Sequence, residues 1–431
     1  MLIEFRVRNF RSFRDENTLS LVASSDKTLK ESNVTEAGIL ALPGVLRTVA
    51  IYGANASGKS NLIRAIALMR AIVLGSASHQ LGQLFNVQSF MLDPSFENEP
   101  SEFEVTFMHH GVRFQFGFSL TPDRITSEWL IVYKTSKPQS WYSRSYNHNS
   151  GQEEYKFGSH FQGQRQLWRA STRPNALFLS TAIQLNSEQL KPIFDWFANG
   201  LGIFEAGGIP IIGGVFPLQL TLDKIKTGDS TGNVVTEFLL AADTGISRID
   251  LAKEKGIERA IRYDAATGKF DHTQEEKEML VPKFFHSSPK GSTLLNLADE
   301  SEGTQRLFLL AGPLFEMLRS GCVLFVDELD RSLHTHLVRH LVGMFQNSRL
   351  NATGAQLIFT THDTSLLSAD LLRRDQIWFV EKNEDQASKI YPLTEFAPRK
   401  NEALERGYLF GRYGAVPIVK QLTNAPDGKE S

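Results

Sequence analysis

Few ten-residue stretches leave a chain as little freedom of fold as Gly53-Ala54-Asn55-Ala56-Ser57-Gly58-Lys59-Ser60-Asn61-Leu62. A glycine, four residues and then Gly-Lys-Ser is the spacing of a phosphate-binding P-loop. Glycines let backbone N–H groups turn onto phosphate oxygens with no Cβ in the way. Lys59 supplies a point charge for those phosphates, and Ser60 supplies a hydroxyl for Mg²⁺. The flanks agree. Thr48-Val49-Ala50-Ile51-Tyr52 reads as a buried strand, and Asn61 to Met69 as a helix with Leu62, Ile66 and Met69 on one face. A helix that starts at the phosphates adds its N-terminal dipole to their binding.

The length of 431 residues exceeds what one core serves, so two or three lobes are expected. The net charge of −2 gives no global basic field for nucleic acid, although 46 Lys and Arg leave room for a local basic groove. The single Cys322 excludes an internal disulfide and fits a reducing compartment; beside an apolar run it reads as a small buried hydrophobe. Met1 to Arg6 lacks the build of a signal peptide. The longest uncharged stretch, Ala206 to Leu222, is interrupted by Gly207, Gly208, Pro210, Gly213, Gly214 and Pro217, so it reads as loop or short strands. A cytoplasmic protein with no membrane partner is expected.

Along the chain, Leu2 to Val7 and Thr18 to Ala23 read as strands, with Ser24 to Glu36 as a loop. Phe103 to Phe107, Val112 to Leu120 and Ile125 to Tyr133 read as an antiparallel meander, turned at His109-His110-Gly111 and Thr121-Pro122-Asp123. His109 and His110 are expected in solvent. The polar run from Ser136 to Gly163 reads as loops or an edge hairpin, and Ala176 to Gly200 as helical. Val234 to Leu240 and Leu251 to Ile261 also read as helices, with Asp271 to Met279 as a charged exit linker. The expected division is therefore residues 1–185 and 281–431 as two parts of one ATPase core, with 186–280 a mainly helical insertion. The fold class is α/β: a mixed sheet carrying the P-loop, an antiparallel β-lobe and the insertion.

Further motifs lie near the other end. Val323-Leu324-Phe325-Val326 runs into Asp327-Glu328, the form of a Walker B element: Asp327 for Mg²⁺, Glu328 to polarise the attacking water. Ser301-Glu302-Gly303-Thr304 stands directly before a helix. It reads either as an anion site for the phosphates of a second chain or as an N-capping turn. His362 follows the apolar strand Gln356 to Phe359 and two threonines, a place for a γ-phosphate sensor. His334 and His336, at i and i+2, diverge on a helix and are discounted as metal ligands.

Together Gly53-x-Asn55-x-x-Gly58-Lys59-Ser60-Asn61-Leu62, Ser301-x-Gly303-Thr304, Asp327-Glu328 and His362 resemble the ABC-type ATPase heads of the SMC, RecF and OLD group. Asn9-Phe10-Arg11-Ser12-Phe13 resembles that group's first hairpin. Ser332-Leu333-His334 and Gly411-Arg412-Tyr413-Gly414 resemble a narrower set, the RloA- or AbiL-like ATP-binding proteins of phage-defence and abortive-infection operons. The resemblance implies ATP held by Gly53, Asn55, Ala56, Ser57, Gly58, Lys59, Ser60 and Asn61, with Mg²⁺ at Ser60, Asp327 and Gln88. It also implies Glu328 as base, His362 as switch, and Ser301, Gly303, Thr304 and the D-loop residue Asp330 acting on ATP in trans. Implied partners are a second copy or a higher homo-oligomer and a separate Toprim- or RloB-like nuclease effector, with nucleic acid left open. DNA repair or chromosome maintenance, and less so transport, are the alternatives; Ser-Glu-Gly-Thr in place of Ser-Gly-Gly argues against transport. Phe379-Val380-Glu381 imitates the opening of a Toprim nuclease, but no Asp-x-Asp pair follows.

Overall fold

The computed structural model describes residues 1–38, 42–205, 217–228, 230–242, 245–264, 269–399 and 402–417. At its centre is a six-stranded sheet. In spatial order its strands are Leu201–Phe204, Val323–Val326, Gln356–Thr360, Thr48–Tyr52, Ile377–Lys382 and Ser388–Pro392. The first five are parallel and the last runs back antiparallel. Strands covered on both faces need apolar side chains on both, so Val49-Ala50-Ile51-Tyr52 and Val323-Leu324-Phe325-Val326 are uninterrupted and fully buried. Phe325 pairs with Ile358, and Ile358 with Val49. Gly53, Asp327 and Thr361 therefore leave their strands at one edge, where sheets of this kind hold ligands.

The second sheet has seven antiparallel strands, in the order Gln152–Phe157, Gln139–Asn147, Ile125–Tyr133, Val112–Leu120, Ser101–His109, Leu2–Arg8 and Asn17–Ser20. The expected meander and edge hairpin are both in it. His110 (φ 48°) and Gly111 (φ 74°) make the two-residue turn between paired His109 and Val112.

The P-loop helix, Lys59–Gly75, fills the space between the sheets. Leu62, Ile63, Ile66, Met69 and Val73 are buried in one core with Phe5, Phe103 and Phe116 of the antiparallel sheet and Ile51 and Phe325 of the parallel one. Each such side chain contributes about 1.5–3 kcal/mol. Residues Lys59–Ser78 are long and apolar enough to cross a membrane, and here that apolar surface is core.

The region 186–280 departs from a mainly helical insertion. Leu201–Phe204 is the edge strand of the central sheet. Pro217–Thr227 is a helix where loop or short strands were expected, and 206–216 lie outside the described residues. Ser230–Ala241 is helical, as expected around Val234 to Leu240. Leu251 to Ile261, expected as helix, is strand: Ile246–Asp264 pairs antiparallel with Lys269–Ser288. Asp271 to Met279, expected as a linker, lies inside the second of these strands. Gly291–Asn296 adds a third. At the base of this ribbon Ile246 and Ile249 are buried, but Lys253, Glu254 and Lys255 are exposed. With so little buried, the hydrophobic period that separates helix from strand is missing from the sequence.

The helix Glu302–Ser320 carries Gly312 and Pro313 in its interior. Thr221 Oγ1 donates to Phe308 O (2.9 Å) and accepts from Gly312 N (3.0 Å). These are the two groups that an unbroken helix would join directly. A Cβ at position 312 would lie 2.5 Å from Thr221 N, so glycine is what admits this approach.

Candidate functional site

The P-loop is shaped from outside as much as from within. A Cβ on Gly53 would lie 2.3 Å from Val380 O. Gly58 has φ 114°, and a Cβ there would meet Ser388 Oγ at 2.3 Å and Ser12 Oγ at 2.8 Å. Ser388 Oγ donates to Ser57 O (2.5 Å) and bonds Ser12 Oγ (2.8 Å), while Asn61 Nδ2 donates to Ser12 Oγ (2.8 Å). The Asn9–Phe13 segment and the last strand of the sheet thus buttress the loop together. Lys59 Nζ donates to Gly53 O (2.7 Å) and Ala54 O (3.0 Å). Burial holds its ammonium below the usual lysine value, against the pull of Asp327, Glu328 and Asp330.

Asp327 and Glu328 follow directly on the Val323–Val326 strand. The Thr360 hydroxyl donates to Asp327 Oδ1 (2.6 Å) and accepts from Glu328 N (2.7 Å). Glu328 takes a left-handed backbone, φ 51°, and its carboxylate lies 3.8 Å from Arg331. Asp330 Oδ2 accepts from His362 N (3.1 Å). Partial desolvation first, and the Lys59 cation second, hold the His362 imidazole below its usual value, so it is neutral at neutral pH.

A cavity of about 470 Å³ brings together Asn55, Ala56, Ser57, Gly58, Lys59, Ser60 and Asn61 with Glu328 and His362; Ser12, Arg64 and Lys382 complete its wall. That volume suits a small-molecule ligand. Within the loop, Ser57 Oγ is buried and has no hydrogen-bond partner among the described residues. A glycine-shaped loop, a buried lysine and this unpaired hydroxyl, which can donate, fit a polyphosphate. Ser60 and Asp327 offer one hydroxyl and one carboxylate. The described residues hold no group of three or more His, Cys, Asp or Glu that could hold a metal ion. The pair therefore fits a Mg²⁺ ion that keeps waters and phosphate oxygens, not an all-protein cage.

Other expected residues lie elsewhere. Ser301 caps the helix it precedes, accepting from Thr304 N (3.1 Å) and bonding Thr304 Oγ1 (2.8 Å). Ser301, Gly303 and Thr304 do not line the Lys59 cavity; a Cβ on Gly303 would sit 2.5 Å from Ser332 O. Gln88 is exposed and lines a neighbouring cavity of about 240 Å³ that shares Ser12, Asn61 and Lys382 with the first. His334 is the N-cap of Thr335–Gln346, its Nδ1 accepting from His336 N, so the two are not a helical pair. His109, expected in solvent, is half-buried against His110, and burial pushes its imidazole down to about 4. Burial pushes the Cys322 thiol up to about 11, as suits a small buried hydrophobe. Glu381 accepts from Ala415 N (2.9 Å), a structural bond. Buried Tyr413 gives its hydroxyl to Glu402 (2.6 Å).

Sequence reasoning missed Ser388, Lys382, Arg64, Thr360 and Arg306. Thr360 sits in the run before His362, where its position was visible though its bonds were not. Ser388 carries no motif at all.

A family model described as "AAA domain, putative AbiEii toxin, Type IV TA system" matches residues 49–368. Among solved structures, the SMC head domain from Thermotoga maritima is 16% identical, covering 91% of this chain and 98% of that one, with a TM-score of 0.40. An SMC head bound to the C-terminal winged-helix domain of ScpA is 13% identical, covering 91% and 97%, with a TM-score of 0.42. No curated protein matches the chain.

Proposed function

Because the chain belongs to this AAA domain family, we propose that it binds ATP with Mg²⁺, hydrolyses the γ-phosphate, and does so as a dimer with two shared sites. The observation that carries the reading is the single cavity lined by Lys59, Ser60, Glu328 and His362, with Asp327 fixed beside it by Thr360. Lys59 and the loop N–H groups hold the phosphates, and Ser60 and Asp327 hold the cation. The cation, when bound, neutralises charge that develops on the phosphate oxygens. Glu328 accepts the proton of the attacking water. Neutral His362 orients the terminal phosphate with a ring N–H.

Ser301, Gly303 and Thr304 do not line their own chain's cavity, and Ser301 is exposed, which supports a role at the site of a second copy. The family's description supports a place in bacterial defence. Within that, we assign the chain an RloA- or AbiL-like part: a cytoplasmic ATPase whose nucleotide state governs a separate nuclease-type effector.

Glu328→Gln should keep nucleotide binding, lower turnover by about 10²–10⁴-fold and accumulate dimers in light scattering. Turnover at the wild-type rate would remove Glu328 from the role of base. Lys59→Ala should lose nucleotide binding and, in cells challenged with phage, protection; equal protection would overturn the defence reading.

A further inference from the structure

Glu328 sits in a backbone conformation that costs a non-glycine residue on the order of 1–2 kcal/mol (φ 51°), so its surroundings must impose it. Both peptide planes that flank it are held from both ends. On the N–H side, Glu328 N donates to Thr360 Oγ1 (2.7 Å), and Leu329 N donates to Thr360 O (3.0 Å). On the carbonyl side, Asp327 O (3.3 Å) and Glu328 O (2.5 Å) both accept from one atom, Arg306 Nη2. Thr360 is fully buried in the central sheet and cannot shift without it. Arg306 stands on another element: the helix that Ser301 caps. Five residues before it, Ser301 faces solvent, and Gly303 lies hard against the Ser332 carbonyl. Arg306 does not line the Lys59 cavity.

We propose that Arg306 is a positioning residue for the Glu328 carboxylate: by bridging Asp327 O and Glu328 O it holds the left-handed backbone of Glu328 against the Thr360 anchor. This rests on the reading of Glu328 as the base. One side of the Glu328 clamp is anchored in the sheet and the other in the helix Glu302–Ser320.

The test uses the full chain, ATP turnover and titration with a fluorescent ATP analogue. Arg306→Met keeps the stem and removes the donors. It should lower kcat about ten- to a hundred-fold, the loss of charged hydrogen bonds at one place, with KM and analogue affinity within about twofold. Arg306→Ala should regain part of its rate when guanidinium is added at millimolar concentration, which a purely structural arginine would not show. Should Arg306→Met melt early, Arg306→Lys serves instead: its ammonium keeps the charge but ends on a shorter stem, short of the Nη2 position that bridges both carbonyls, so an intermediate kcat is expected. A folded Arg306→Met or Arg306→Lys variant with wild-type kcat, or a fall in affinity that matches the fall in rate, overturns the proposal alone. Absence of turnover in the wild-type chain overturns the hydrolytic reading and this proposal with it.

Discussion

One hydroxyl, that of Thr360, fixes the side chain of Asp327 and the backbone of Glu328 at once. Thr360→Val keeps the shape and removes both bonds. With a buried N–H left unpaired it should cost about 1–3 kcal/mol in urea unfolding, and turnover should fall further than nucleotide affinity; Thr360→Ser should restore most of both. Wild-type stability and rate in the valine variant would show that the geometry is set elsewhere. His362 gives a pH dependence. Its folded value lies below the usual 6.5, so between that value and 6.5 the unfolded chain binds the proton and the folded chain does not. The contribution to stability is complete above 6.5, falls as pH drops below it, and levels off under the folded value. His362→Gln should flatten that part of the stability profile; an unchanged slope would place its origin in other groups.

Motif-bearing elements were legible because each combines an apolar run with a chemically marked end: Thr48–Tyr52 into Gly53, and Val323–Val326 into Asp327. The ribbon Ile246–Ser288 was not legible, because exposed pairs such as Lys253–Glu278 stabilise a strand pair without leaving a hydrophobic period. Ser388 and Arg306 were hidden for another reason. Their partners lie at distant positions, Ser12 and Ser57 for the first, and nothing local records such a meeting. The Thr221 contact with the helix Glu302–Ser320 belongs with them, and it makes a strong prediction. Gly312→Ala drives a Cβ into the Thr221 backbone. It should lower stability by about 1–3 kcal/mol by overpacking, whereas alanine elsewhere inside a helix improves on glycine. A stabilised Gly312→Ala variant would mean the two helices are free to part.

Across the molecule, the phosphate loop and the capped turn at Ser301 do not line one cavity within the chain, so sharing of sites is a question of mixing. Lys59→Ala and Ser301→Arg should each be inactive alone, and their mixture should recover turnover from heterodimers that keep one intact site. No recovery at any ratio would argue that each chain works by itself. The order of the central sheet has a consequence of another kind. The strand that leads into the phosphate loop takes both its neighbours from Gln356–Thr360 and Ile377–Lys382. At 5–20 residues per second of synthesis, roughly 15–65 s separate its emergence from theirs. During that time an apolar segment with two bare edges is open to other chains. Translation interrupted before Gln356 yields a polypeptide that carries the whole Gly-Lys-Ser sequence with neither neighbouring strand beside the one that leads into it. The phosphate loop therefore gains its flanking strands only late in synthesis, and the ATP site proposed for it is completed last.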